Sequence, residues 1–402
     1  MFRSVAWALA TLLLLSACEI NDRGELDTDA AIDVDRDSGL PAGDGSVSAA
    51  DASGLGSDSG TATPPDASAA SGLDAGTVAA APRIIGRYDD GDPAGPRFGF
   101  SGSAIEARFS GTGITLKLAD SDSDIYTVLV DGTKSTVSTL ASQQSYPLAS
   151  GLAAGDHHVL VWKNTEWFQG TGQFLGFDLA GGGAYLPLSP PARRLEFVGD
   201  SITCAYGNVG AGPSCGFSSE TEDHYLGYAA LTARALGADQ STVCQSGIGI
   251  FRNYGGETDG TMPDLYPLAH GGGPAWDFSR FVPDAVLVNL GTNDFAMGPP
   301  DKASFQTAYR GFLDTIRSKY PDAFILLAVG PMLGTSEAAT AKVWLDELAA
   351  ARGAAGDAKV SVVEFTPQDG NLGYGCDWHP SAATHQQMAD HLAPILKGLL
   401  GW

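Results

Sequence analysis

Residues 105–120, IEARFSGTGITLKLAD, alternate apolar and polar positions on either side of a Gly-Thr-Gly turn. A period of two presses one face against a core and leaves the other to water, so the stretch predicts half-buried strands. Residues 125–137, IYTVLVDGTKSTV, repeat the pattern around Asp131-Gly132, a strong hairpin dipeptide. HHVLVWKNTEW, residues 157–167, is a further short strand with an apolar centre. Short strands and frequent turns over 83–190 predict a β-sandwich domain. His157 and His158 are adjacent on a strand and so point to opposite faces, one core and one surface, which argues against a shared metal.

From about residue 193 the pattern changes. LEFVGDS, PDAVLVNLG and AFILLAVGP are unbroken apolar runs, as expected for strands buried on both faces. Between them lie stretches with helical spacing, YLGYAALTARALG, FQTAYRGFLDTIRSKYP and AATAKVWLDELAAARGA, and ATHQQMADHLAPILKGLL closes the chain. Alternating strand and helix predicts an α/β domain over 191–402, a parallel sheet between two helical layers. Such sheets place their chemistry at the carboxyl ends of the strands.

The length of 402 residues accommodates two such domains, and the net charge of -24 argues against a nucleic-acid partner. Residues 19–82 hold 13 acidic and two basic residues and no aromatics, so they carry -11 of that charge. Such a composition cannot bury enough apolar surface to fold, and it predicts a disordered acidic tether. DVDRDSG at 33–39 mimics the start of a calcium loop, but its glycine is one place late and the closing glutamate is missing, so it reads as linker. Ahead of the tether, Arg3, the apolar run VAWALATLLLL and LSAC ending at Cys18 resemble a bacterial lipoprotein signal over 1–18. That resemblance implies a lipid-modified Cys18 and a membrane anchor. Glu19, not aspartate, follows Cys18 and points the anchor toward the outer membrane, with an ordinary secretory signal as the alternative.

Four cysteines remain, and four allow three pairings. Cys204 with Cys215 would close a short loop beside Ser201. Cys244 with Cys376 would tie two candidate active-site segments together. Free buried thiols are the alternative, and no C-x-x-C pair suggests zinc or redox chemistry.

Three short motifs carry candidate chemistry. In EFVGDSITCAYGN, Ser201 follows the first parallel strand and opens a helix, where its own backbone N–H points toward whatever its oxygen attacks. The motif is G-D-S-I-T and not the G-x-S-x-G elbow. In NLGTNDF, Asn293 stands at the end of another strand, where its amide is able to donate to a developing oxyanion. In GCDWHPS, His379 lies in a loop before the last helix and suits the role of base for a serine. Each motif alone reads as an ordinary turn. Together, at the rim of one parallel sheet, they predict a nucleophile, an oxyanion donor and a base.

GDSI, GTND and DWHP resemble the blocks of the SGNH (GDSL) hydrolase superfamily, whose three-layer domain is flavodoxin-like. That resemblance places a glycine N–H donor in CQSGIGIFRNYGG, at Gly249, with Gly247 as the fallback. RIIGRYDD, GDHHVLVWKNTEW and FLGFDLAGG, followed by RRLEFVGDSIT, are similar to the carbohydrate esterase family 2 acetyl esterases, which carry a jelly-roll β-sandwich ahead of the hydrolase domain. The resemblance implies removal of acetyl groups from plant polysaccharides such as xylan or glucomannan without a metal or other cofactor, and the protein is expected to be a monomer. Ser201 attacks the acetyl carbonyl, His379 shuttles the proton, and the N–H groups of Ser201 and Gly249 with the Asn293 amide hold the oxyanion. The superfamily's orienting aspartate usually stands three residues before the histidine. Here that position is Cys376, and Asp377 stands two before, a spacing similar to that of the family 2 esterases, some of which work as a Ser–His dyad with a main-chain carbonyl orienting the ring. Asp377 is expected to help and not to be essential, and two residues back on an extended segment its side chain is still within reach of Nδ1. Trp378 edges the pocket as a stacking platform for a sugar ring, or else is a core residue. Tyr206, Arg252 and Tyr254 fall in active-site loops without an assigned role. Two alternatives remain open: an esterase of the same fold for lipid or sialic acid esters, and a carbohydrate-binding lipoprotein whose hydrolase domain is idle.

Overall fold

The structure is a computed structural model that describes residues 79–402. The apolar N-terminal segment, Cys18, DVDRDSG and all but the last four residues of the 19–82 stretch lie outside the described residues.

The alternating segments form eight antiparallel strands: β1 (Arg83–Ile85), β2 (Arg97–Phe98), β3 (Ala104–Asp120), β4 (Ile125–Val130), β5 (Thr133–Ser138), β6 (Ser145–Lys163), β7 (Gly172–Ala180) and β8 (Tyr185–Leu186). They are connected in one sheet of order β2-β7-β3-β6-β4-β5, with β1 and β8 also paired to β3. The Gly-Thr-Gly segment is not a hairpin turn. It is a register shift inside the single long strand β3, between Gly111 and Gly113. Before the shift Ile105, Ala107 and Phe109 are buried, and after it Ile114, Leu116 and Leu118 are, all in one core cluster. The shift changes odd positions for even ones, so the apolar face stays on the core side. The hairpin at Asp131-Gly132 forms as expected, with Asp131 at φ 50° and Gly132 at φ 79°. His157 is buried against Phe109 and within 2.6 Å of Asp131, whereas His158 reaches Glu106 at 2.7 Å on the other face.

The second half contains a five-stranded parallel sheet of β9 (Arg194–Gly199), β10 (Asp239–Cys244), β11 (Ala285–Asn289), β12 (Phe324–Val329) and β13 (Val360–Glu364), in the order β10-β9-β11-β12-β13. Seven helices accompany it: α1 (Ser201–Cys204), α2 (Tyr228–Leu236), α3 (Met262–Leu265), α4 (Thr292–Phe295), α5 (Lys302–Lys319), α6 (Thr335–Ala354) and α7 (Ala382–Leu400). Val198, Val286, Val288, Ile325 and Leu327 pack on one face against Phe312 and Ile316 of α5 and Leu345 of α6. Their neighbours Phe197, Leu287, Leu326 and Ala328 pack on the other against Ala233 of α2 and Leu392 of α7. This is the flavodoxin-like three-layer arrangement, whose strand order reverses direction at β9 and opens a crevice at the strand ends beside it.

A buried ion pair links the two halves. Arg87, which follows β1, meets Glu196 of β9 at 3.1 Å, both side chains fully buried. Its guanidinium also donates to the carbonyls of Tyr266 and Leu268, and Tyr266 Oη donates to Glu196 at 2.6 Å. Removing one partner would strand the other's charge out of water, a cost of about 3–5 kcal/mol.

Both disulfides differ from the expected pairs. The bonds are Cys204–Cys244 and Cys215–Cys376. Cys204 closes α1, just after β9, and Cys244 ends β10, which lies beside β9 in parallel register with Cys244 opposite Gly199. Sheet adjacency therefore overrides closeness in sequence. Cys215 is left to bond Cys376, which anchors the segment that carries His379 to the loop after α1.

Candidate active site

Four loops at the carboxyl edge of the parallel sheet converge on one cleft of about 840 Å³. Ser201 follows β9, Gly247 follows β10, Asn293 follows β11, and His379 precedes α7. All four line the cleft, with Tyr206, Tyr254, Asp377 and Trp378.

Ser201 is the first residue of α1, and the Asp200 side chain caps that helix by accepting the Ile202 N–H at 3.0 Å. The Ser201 N–H therefore has no intrahelical partner. Burial, with Asp294 nearby, pushes the fully buried Asp200 carboxyl up to about 7. His379 Nε2 lies 2.8 Å from Ser201 Oγ, which completes a nucleophile–base contact.

The other ring nitrogen meets no carboxylate. His379 Nδ1 is 3.2 Å from the carbonyl oxygens of both Cys376 and Asp377, so the main chain fixes the proton on Nδ1 and leaves Nε2 free to accept. The chain reaches this path through two successive left-handed residues, Asp377 at φ 49° and Trp378 at φ 63°. Such conformations cost non-glycine residues about 1–3 kcal/mol each and persist only where the surroundings impose them. Here the Cys215–Cys376 bond and the Asp377 N–H donated to the Cys215 carbonyl at 3.0 Å hold the turn. The Asp377 carboxylate instead accepts from Tyr206 Oη at 2.6 Å, and the Tyr206 ring lies over the imidazole with centroids 4.2 Å apart. Of the two alternatives for the ring's partner, the structure has the main chain: the Asp377 side chain does not reach Nδ1, and the residue contributes its carbonyl.

Burial lowers the His379 pKa below its ordinary value, partly offset by the two carbonyls and the Asp377 charge. A base acts only when neutral, and a lowered pKa keeps it neutral further into acid. The acid limb of kcat/KM on an aryl acetate is accordingly expected to have its midpoint below about pH 6.5, with no loss from there up to pH 7. A midpoint above that value would contradict the buried imidazole.

Asn293 donates one amide hydrogen to the Ile248 carbonyl at 2.8 Å, which orients the group and leaves its second N–H at the cleft. Gly249 is not available as a donor. Its N–H is donated to the Asn253 side chain at 3.0 Å, and the residue does not line the cleft. Gly247 does line it, at φ 78°, and its N–H has no partner among the described residues. Asp294, buried beneath, accepts the N–H groups of Ile250, Phe251 and Arg252 at 3.0, 2.8 and 2.9 Å and sets the loop's course. Arg252 does not line the cleft and donates to the carbonyls of Asp294 and Gly298. Trp378 is 59% exposed and Tyr254 67%, so neither is a core residue, and both rings line the cleft.

The carbohydrate esterase 2 N-terminal family model matches residues 84–191, and the GDSL-like lipase/acylhydrolase model matches 197–387. An acetylxylan esterase / glucomannan deacetylase of Cellvibrio japonicus is 30% identical over 330 residues, spanning 78% of this chain and 89% of that protein. The chain belongs to carbohydrate esterase family 2. The cellulase/esterase CelE of Acetivibrio thermocellus is 43% identical over 319 residues, and there the match spans 79% of this chain but only 39% of the relative. A family 2 esterase from Clostridium thermocellum, solved with cellohexaose, superposes at a TM-score of 0.78 with 43% identity, over 80% of this chain and 99% of that one. The order of sheet domain and hydrolase domain is thus the family's own.

Proposed function

We propose that the chain is a serine esterase that removes O-acetyl groups from plant cell-wall polysaccharides such as xylan and glucomannan, acting as a monomer. The observation that carries the reading is the 2.8 Å contact between Ser201 Oγ and His379 Nε2 at the floor of a cleft edged by exposed aromatic rings. As Oγ attacks the acetyl carbonyl, its proton passes to Nε2. The carbonyl electrons move onto oxygen, where the Ser201 and Gly247 N–H groups and the Asn293 amide receive them. Collapse expels the sugar oxygen, which takes the proton from Nε2 and leaves acetyl-Ser201. Water then repeats the sequence, losing its proton to Nε2, and acetate departs as Oγ recovers it. Trp378 and Tyr254 present apolar faces suited to sugar rings, and the names of the relatives support the polysaccharide substrate.

The test compares acetate release from acetylated xylan with hydrolysis of aryl esters of increasing acyl length. Activity is expected on the polymer, with acetate the best aryl ester. Rates that climb with acyl length would favour a lipid esterase, and polysaccharide binding without turnover would favour the idle-domain alternative.

The anchor is proposed on Arg3, the apolar run and LSAC18 alone. A lipid on Cys18 would hold the domains to the bacterial outer membrane through the acidic stretch. Cys18→Ser, expressed in a Gram-negative host, is expected to move the protein from the membrane pellet to the soluble fraction. Unchanged fractionation would remove the proposal.

A further inference from the structure

We propose that Glu166, in the N-terminal domain, is a positioning residue for the oxyanion site of the hydrolase domain. This inference rests on the esterase reading above.

Glu166 and Trp167 lie in the segment between β6 and β7. The Glu166 carboxylate accepts the Ser246 backbone N–H at 2.6 Å and also the Ser246 hydroxyl. Trp167 Nε1 donates to the Gln245 side chain at 3.2 Å. Two consecutive residues of one domain thus grip two consecutive residues of the other, and the next residue along is Gly247. On its far side the Gly247 carbonyl accepts the Tyr254 N–H at 2.9 Å. The peptide that offers its N–H to the cleft is therefore held from both ends, and one of the two ends belongs to the sheet domain.

The grip is itself built in. Glu166 is 1% exposed, and its N–H donates to the buried Glu222 carboxyl at 3.2 Å. Lys163 Nζ binds Asp124 at 2.6 Å and the carbonyls of Thr165 and Glu166 at 2.8 and 3.2 Å. A carboxyl sunk this deep is a poor device for stability, because an apolar side chain of similar size avoids the desolvation cost. Burial raises the Glu166 carboxyl to about 7, against the pull of the Ser246 donors. Its aim at the residue before Gly247 gives it a reason to be there. Oxyanion donors work through preorganisation, so a donor loosened by a fraction of an ångström loses much of its effect.

The chemistry distinguishes two substitutions. Glu166→Leu leaves both Ser246 groups without an acceptor. Glu166→Gln keeps an oxygen for the N–H, and its amide donates to the hydroxyl, which is free to accept. Steady-state kinetics on 4-nitrophenyl acetate, run below each variant's own melting temperature, separate positioning from folding. Glu166→Leu is expected to lower kcat and kcat/KM together by about ten- to a hundredfold, with KM within about twofold of wild type. Glu166→Gln is expected to return kcat to within about fivefold of wild type. A folded Glu166→Leu protein with wild-type kcat would overturn the proposal. Should that variant not fold, Ser246→Ala removes the hydroxyl half of the same contact from the loop side and keeps the backbone half. It is expected to lower kcat about three- to tenfold at constant KM, and an unchanged kcat there would equally overturn it. A wild-type chain without turnover would sink the esterase reading itself, a result distinct from any difference among variants.

Discussion

Ser201→Ala is expected to reduce kcat on an aryl acetate by about 10⁴- to 10⁶-fold, while Asp377→Asn stays within about tenfold of wild type. The contrast follows from what each side chain touches. Among the described residues Ser201 Oγ is the only group at hydrogen-bond distance from His379 Nε2, so its loss leaves no nucleophile for the base to activate. The Asp377 carboxylate is spent on Tyr206, and Nδ1 rests on carbonyl oxygens. Asparagine preserves an acceptor for the phenol and tolerates positive φ better than most residues, so the substitution tests charge without disturbing the turn. In a conventional triad the third member costs orders of magnitude when removed, because it fixes the tautomer of the ring. Here the main chain does that. An Asp377→Asn loss as large as that of Ser201→Ala would refute the dyad.

Asn293→Ala is expected to lower kcat by about 10²- to 10³-fold with KM little changed. One amide hydrogen is committed to Ile248, which pins the side chain, and the other is left for an oxygen that gains charge only as the reaction proceeds. A donor that meets charge only in the transition state acts on kcat and not on ground-state binding. Asn293→Asp is expected to do at least as much damage, because a carboxylate would face both the Ile248 carbonyl and the forming oxyanion. Wild-type kcat in Asn293→Ala would withdraw the residue from the oxyanion site.

Ser201, Asn293 and His379 were legible in the sequence for one reason. Each sits in a short motif beside a strand or helix whose burial pattern is unmistakable, and parallel-sheet topology brings such edges together. What stayed hidden depends on loop paths and on contacts between distant segments. Gly247 and Gly249 are two residues apart in one loop, and only the fold reveals that Asn253 consumes the amide of Gly249. The cysteine pairing followed the order β10-β9, which no local pattern states. The Gly-Thr-Gly segment read as a turn because glycine serves turns and register shifts equally well. Glu166 lies 80 residues from Ser246 and in another domain, and no motif surrounds it. Asp377 was visible, but the direction of its side chain was set by two left-handed residues that are not glycine, a choice that local preference disfavours.

Every amino acid brings a carbonyl, so the duty of steering the imidazole is written into the route of the polypeptide and into no single codon. A point change at residue 377 leaves that oxygen pair chemically intact, whereas loss of the crosslink at residue 376, or an inserted or deleted residue between the crosslink and the base, would misdirect the ring. The enzyme's vulnerability at this point is therefore to altered spacing or a lost crosslink, and the carboxylate released from steering is free to hold a neighbour instead.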